Sequence, residues 1–209
     1  MPGAEANGAL QVRVKTDERR RGIVDAAWEL FKTNGFERTT MSEISERVGG
    51  SKATLYSYFK SKDELFAAAM EQAVLERTDE AFARVGSSGD LGERLLTFSL
   101  TYMEMRLAPD MIGADRALIA QADQSDLGVS LLRRVVTPQW EKLAMVMEQE
   151  MSAGRLRQAD PYVAAMHFRG LIESDLLERR LHGDPTVTAR DIETAATNGI
   201  DIFLRAYSA

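Results

Sequence analysis

TMSEISERVGGSKATLYSYF, residues 40–59, reads as two short helices joined by a Gly-Gly turn. Thr40 can cap the first through its hydroxyl, and Glu43, three residues on, can reach back to close a capping box. Ile44 and Val48 are four apart and share one face. Gly49 and Gly50 then stop the helix, since glycine tolerates the left-handed backbone of a sharp exit. Ser51 can cap the second helix, along which Leu55 and Phe59 again fall four apart. Lys52, Ala53, Thr54, Tyr56, Ser57 and Tyr58 are left for the open surface.

That surface suits a helix-turn-helix docking in a DNA major groove. A helix entering the groove presents its first turn to base edges. Lys52 can donate to guanine acceptors, and the Ala53 methyl can meet a thymine methyl. Thr54, Tyr56 and Tyr58 can donate to phosphate oxygens, which sets register rather than sequence. Lys60 and Lys62 add charge just beyond the helix. Ser61 and Glu64 form a second capping box that opens a fourth helix. The candidate DNA-facing set is Thr40, Ser51, Lys52, Ala53, Thr54, Tyr56, Ser57, Tyr58 and Lys62. An ordinary amphipathic turn in a helical protein explains the apolar spacing, but not the coincidence of two capping boxes, a Gly-Gly turn, exposed tyrosines and lysines.

The net charge of −6 argues at first against nucleic acid, but its distribution answers that. Residues 1–62 hold 11 Lys and Arg against 8 Asp and Glu, whereas residues 63–209 hold 15 against 24. The basic excess falls on the motif, and phosphate contacts need local charge. A chain of 209 residues can bury a core in one domain or two tightly joined ones. Without cysteine, disulfides, thiolate catalysis and cysteine zinc sites are excluded. The two histidines, His167 and His182, are too few for a histidine metal site. No catalytic residue, metal ligand or cofactor is expected: G-x-S-x-G, H-E-x-x-H, phosphate-loop and dinucleotide fingerprints are all missing from the sequence. Glu173 and Asp175, two apart on a helix, do not face each other as a catalytic dyad would. No apolar run approaches the ~20 residues of a membrane span, and the N-terminus lacks a signal-peptide core, so a soluble cytoplasmic protein is expected.

Further along, periodicity predicts helices and no strands. Residues 1–15 lack periodicity and read as a disordered arm, where Arg13, Lys15 and Arg19 to Arg21 form either a basic arm for the DNA backbone or a solvated helix start. Helices are expected over 17–33, 62–85, 91–107, 111–122, 129–153, 161–182 and 189–207. A loop is expected at 86–90, and Pro138 should kink the fifth of these helices or mark its true start. The fold class is therefore all-α: a disordered arm (1–15), a three-helix helix-turn-helix head (16–62) and a larger helical body (63–209). The central helices are rich in methionine, whose flexible thioethers suit a pocket for varied apolar ligands. Tyr102, Met103, Arg106, Arg116, Gln121, Trp140, Met147 and His167 are the candidates to line it. For each, a place in the ordinary core is the competing reading.

Residues 16–75 resemble the TetR family of bacterial transcriptional regulators. The resemblance rests on IVDAAWELFKTNGFERTTMSEISERVG (23–49) and SKATLYSYFKSKDELF (51–66). It implies base reading by Lys52 and Ala53, and phosphate contacts by Thr40, Thr54, Tyr56, Ser57, Tyr58 and Lys62. It also implies a homodimer paired through the last two helices. There Val163, Met166, Leu171, Leu177, Leu181, Ile192, Ala196, Gly199 and Phe203 form apolar faces suited to a four-helix bundle. Two recognition helices would then read an inverted repeat, with half-sites about one DNA turn (~34 Å) apart. The favoured reading is a ligand-responsive repressor, bound to double-stranded DNA and released by a small, largely apolar effector. The alternative is an architectural DNA binder or an activator without such an effector.

Overall fold

Side-chain caps decide where most of these helices begin. The computed structural model describes residues 4–85, 89–123 and 125–209, which form eleven α-helices and one π-helical turn, with no strand among the described residues. The chain divides into two compact units, residues 1–73 and 74–209.

The first unit holds α1 (Ala4–Asn34), α2 (Met41–Val48), α3 (Lys52–Tyr58) and the start of α4 (Lys62–Val85). Its interior is built from Ile23, Val24, Ala27 and Phe31 of α1, Phe36, Ile44, Leu55 and Phe59, closed by Leu65, Phe66, Ala69 and Met70 of α4. The Phe66 ring lies 5.1 Å from Phe31 and 4.7 Å from Phe36, centroid to centroid. Two expectations change here. The boundary falls after Ala73 rather than after Lys62, because the first turns of α4 supply part of this core. The stretch from Ala4 to Lys15, expected as a disordered arm, is the beginning of α1. It carries no proline and is dominated by good helix formers, so nothing stops the helix upstream of Asp17. Residues 1–3 and the side chains of Arg13 and Lys15 lie outside the described residues, as do residues 86–88 of the expected loop.

The second unit holds the rest of α4, α5 (Leu91–Arg106), α6 (Pro109–Ala120), α7 (Leu127–Leu131), the π-helical turn Leu132–Val136, α8 (Thr137–Ser152), α9 (Pro161–Glu173), α10 (Leu176–Leu181) and α11 (Ala189–Tyr207). Asp90 caps α5, Asp160 caps α9 through the Tyr162 and Val163 amides, and Thr188 with Asp191 boxes the start of α11. Aromatic rings run through the centre: Phe82, Phe98, Tyr102 and Trp140 in mutual contact, then Phe168, Phe203 and Tyr207. Proline 109 opens α6 as its first residue, two positions before the expected start, because its missing N–H is not needed there. The expected helix over 129–153 is one helical path with a π turn just before Pro138. The wider turn accommodates a ring that cannot donate and would crowd the preceding carbonyls. The expected single helix from Pro161 to His182 is broken at Ser174, whose φ of 48° and ψ of −132° lie outside the helical region.

Candidate functional site

The helix-turn-helix is held by hydrogen bonds that its sequence encodes locally. Thr40 accepts from the Glu43 amide at 3.2 Å, while its own amide and hydroxyl donate to the Glu43 carboxylate at 2.7 and 2.8 Å. These bonds to Thr40 hold the Glu43 carboxyl below its ordinary pKa. Gly49 exits α2 with φ 69° and ψ 45°, and its amide donates back to Glu46. The Gly50 amide donates to the Ser45 carbonyl, and the buried Ser45 hydroxyl donates to the Gly50 carbonyl at 2.8 Å. Ser51 then accepts from the Thr54 amide at 3.0 Å and fixes the first turn of α3.

With Leu55 and Phe59 buried, α3 turns Lys52, Ala53, Thr54, Tyr56 and Ser57 to solvent, and Tyr58 is half-buried. Tyr56 is 49 % exposed, a high value for a large ring in a folded unit. Five candidates are already engaged, the Ser51 and Thr54 hydroxyls with each other at 2.9 Å. The Thr40 hydroxyl proton goes to Glu43, and the Ser57 hydroxyl proton goes to the Thr54 carbonyl at 2.6 Å. Lys62 donates to the carbonyls of Phe36 at 2.8 Å and Glu37 at 3.3 Å, with its ammonium 4.2 Å from the Phe36 ring centre. It ties down the α1–α2 connection, so its charge is directed inward rather than freely presented. The second capping box is offset: Ser61 accepts from the Glu64 amide, but Glu64 reaches the Lys60 amide instead of that of Ser61.

In the second unit the ligand candidates disperse. Tyr102, Met103, Trp140 and Met147 are core residues with at most 5 % exposure. Aromatic residues here pack against one another, Phe98, Tyr102 and Trp140 in mutual contact. His167 shares a 2.6 Å hydrogen bond with the Tyr207 hydroxyl, and Arg116 donates to the Leu181 and Arg180 carbonyls. Gln121 follows the last turn of α6. Among the described residues Arg106 of the set lines a cleft of this unit, an opening of about 330 Å³ walled by Asp115, Leu118, Ile119, Ala122, Ser125, Gly128, Val129, Leu132 and Leu181. Arg106 is ion-paired with Asp115 at its side. Burial opposes the Arg106 charge, but Asp115, Tyr102 and Glu173 together outweigh it and raise the guanidinium pKa.

Two family models match the chain. The model of bacterial regulatory proteins of the tetR family covers residues 23–69, and that of the AefR-like transcriptional repressor C-terminal domain covers residues 93–209. The chain belongs to the TetR family.

This TetR-family regulator is 29 % identical over 109 residues to the HTH-type transcriptional regulator BetI of Rhizobium meliloti (strain 1021), covering 52 % of this chain and 54 % of BetI. It thus spans about half the length of that curated relative. A TetR-family structure from Mesorhizobium loti superposes with a TM-score of 0.84 at 22 % identity, covering 92 % of this chain and 98 % of that one. The flavonoid-responsive regulator FrrA superposes with a TM-score of 0.68 at 28 % identity, covering 92 % and 98 %. The chain is therefore a transcriptional regulator with a DNA-binding helix-turn-helix, and its relatives are transcription factors rather than enzymes. Among the described residues no helix is long and apolar enough to cross a membrane.

The residues expected at a dimer interface also divide. In this TetR-family body Ala196, Gly199 and Phe203 are buried within the same chain, packed toward α9. Gly199 on α11 serves that close crossing. Met166, Leu171, Leu177, Leu181 and Ile192 are partly buried against the same core. Val163 remains exposed, joined by Ile202 of the expected apolar face of the last helix and by Tyr162, which the apolar spacing does not single out. Sequence reasoning also missed Ser45, and it missed Arg19 as part of the turn: its Nη2 lies 2.9 Å from where a Gly50 Cβ would be. Arg20 stacks over the Phe59 ring at 5.0 Å. Both arginines are residues of α1, so this part of the expected basic arm is helix.

Proposed function

We propose that this TetR-family regulator is a cytoplasmic repressor that binds an inverted-repeat operator as a homodimer and is released by a small, largely apolar effector. The observation that carries the DNA side is α3: both ends of its turn are capped, Leu55 is buried, and Lys52, Ala53, Thr54, Tyr56 and Ser57 stand clear. Lys52 and Ala53 then read base edges. Thr54, Tyr56 and Tyr58 hold phosphates, while Ser51 positions the helix. Thr40 and Ser57 reach phosphate by turning their hydroxyl protons away from Glu43 and the Thr54 carbonyl. Lys62 contributes by fixing the loop before α2.

A single seven-residue helix reads too few bases for a unique site, which favours a two-fold dimer reading two half-sites. The exposed apolar Tyr162, Val163 and Ile202 support pairing through α9 and α11. The AefR-like repressor description of the C-terminal model supports repression, and a flavonoid-responsive structural relative supports an apolar effector.

Selection of bound sequences from random duplex DNA at fixed salt tests this reading. Wild-type protein should recover one inverted repeat. Lys52→Ala should relax the sequence preference at each half-site by about 1–3 kcal/mol per lost base contact. Tyr56→Ala should weaken all sequences alike and leave the salt dependence nearly unchanged, because a neutral phenol displaces no counterion. Recovery of no common site at ~0.1 M salt, where specific sites bind in the nanomolar range, would refute it.

A further inference from the structure

The centre of the second unit holds Phe98, Tyr102, Trp140, Met103 and Met147, all at 5 % exposure or less. Among the described residues, space lies at one edge, in the cleft of about 330 Å³ between α6, α7, the start of the π turn and Leu181 of α10. That volume is in the range of small-molecule sites, about 300–1,000 Å³. Its walls are Leu118, Ile119, Ala122, Val129, Leu132 and Leu181. Ile119, Val129 and Leu132 keep 61 %, 48 % and 53 % of their surface in solvent, an apolar exposure that a bound apolar molecule would relieve.

The polar groups of the cleft are few and balanced. Arg106 and Asp115 line it together as an ion pair, each side chain 16 % exposed. Asp115 uses Oδ2 on Arg106, and Arg106 uses one guanidinium nitrogen on Asp115; among the described residues neither has another hydrogen bond. The pair thus offers a free acceptor and free donors side by side, with no net charge. A hydroxyl can donate to the one and accept from the other. A carboxylate or an amine would add an uncompensated charge to a partly buried, apolar site, which is costly. Behind the pair, on the same helix α5, Tyr102 donates to Glu173, which Arg169 also grips at 2.9 Å, and Glu173 is the last residue before the break at Ser174.

We propose that this cleft is the effector site, and that it takes a neutral, mostly apolar molecule bearing a hydroxyl group that bridges Arg106 and Asp115. The proposal rests on the ligand-responsive reading above for its regulatory meaning, but not for binding itself.

The test is calorimetric titration of the full chain with 2-naphthol, naphthalene and 2-naphthoate. 2-Naphthol should bind best, one per chain. Ala122→Trp, at an exposed position on the mouth, should weaken it by roughly tenfold or more, with helix content unchanged by circular dichroism. Asp115→Asn should leave Arg106 uncompensated and make 2-naphthoate the better ligand. Absent binding, binding indifferent to Ala122→Trp, or a wild-type preference for naphthoate would overturn the proposal. Adding the selected operator separates the two readings. Naphthol that releases the DNA supports both. Naphthol that binds at this cleft and leaves the DNA bound keeps the site but refutes its role as the effector site.

Discussion

Gly199 of α11 lies against the backbone of Leu171 in α9: a Cβ at Gly199 would stand 2.9 Å from the Leu171 carbonyl oxygen and 3.2 Å from the Ile172 nitrogen. The obstacle is main chain, which cannot swing aside as a side chain can. Gly199→Ala should force the two helices apart and cost about 1–3 kcal/mol, the range of overpacked cores. The urea midpoint measures it; an unchanged midpoint would mean that α11 slides freely on α9.

The adjacent glycines of the turn should behave differently from each other. Gly49 has φ 69°, and alanine there carries a penalty of about 1–2 kcal/mol. Gly50 meets only the far end of Arg19, which can move. Gly50→Ala should therefore change stability by no more than about 0.5 kcal/mol. Thermal unfolding of the two variants side by side distinguishes them, and equal losses would contradict the assignment.

Acid below about pH 4 should loosen the connection between α10 and α11. Hydrogen bonds from Thr186, side chain and backbone, and then from Arg179 depress the Asp184 pKa to about 2. A carboxylate with a depressed folded pKa contributes stability that is present above its unfolded value and lost as pH falls through the folded one. The window therefore runs from about pH 4, the unfolded aspartate value, down to about pH 2. Amide exchange at Thr186 should accelerate across that window in wild type. In Asp184→Asn it should be fast throughout; a wild-type profile in the variant would exclude Asp184 as the cause.

Ser174 holds a backbone conformation that suits glycine, with φ 48° and ψ −132°. Strain at such positions is on the order of 1–3 kcal/mol for residues other than glycine. Ser174→Gly should raise the melting temperature by a few degrees, about 2–4 °C per kcal/mol gained. Ser174→Ala should not, because it keeps the Cβ that creates the strain. A gain in both variants would locate the effect in the hydroxyl instead.

What could be read from the sequence was what is encoded locally. The capping boxes at Thr40 and Thr188, the exit at Gly49 and the buried Leu55 and Phe59 each depend on residues within a turn or two, and α2, α3 and α11 lie where spacing put them. The break at Ser174 was not legible, because Glu-Ser-Asp is no recognised helix stop and tertiary packing imposes the turn. The start of α1 was missed because lack of amphipathic period was read as lack of helix. In the body, a run of methionines and aromatics looks alike whether it lines a cavity or fills one. Trp140 and Met147 are buried in the core. Arg106 and Asp115 meet across the break between α5 and α6, a pairing that spacing on one helix cannot reveal.

The π turn at Leu132–Val136 is one residue wider per turn than the helices on either side of it. Deleting a single residue there would restore ordinary winding with the flanking helices still in phase, whereas a single deletion inside α8 would rotate everything upstream by about 100° around the helix axis. Val129 and Leu132 would then swing off the cleft wall while their identities stayed the same. The shape of this cavity is thus written as a phase, kept by a count of residues rather than by the chemistry of any one of them, and insertions or deletions in α8 should matter more than substitutions.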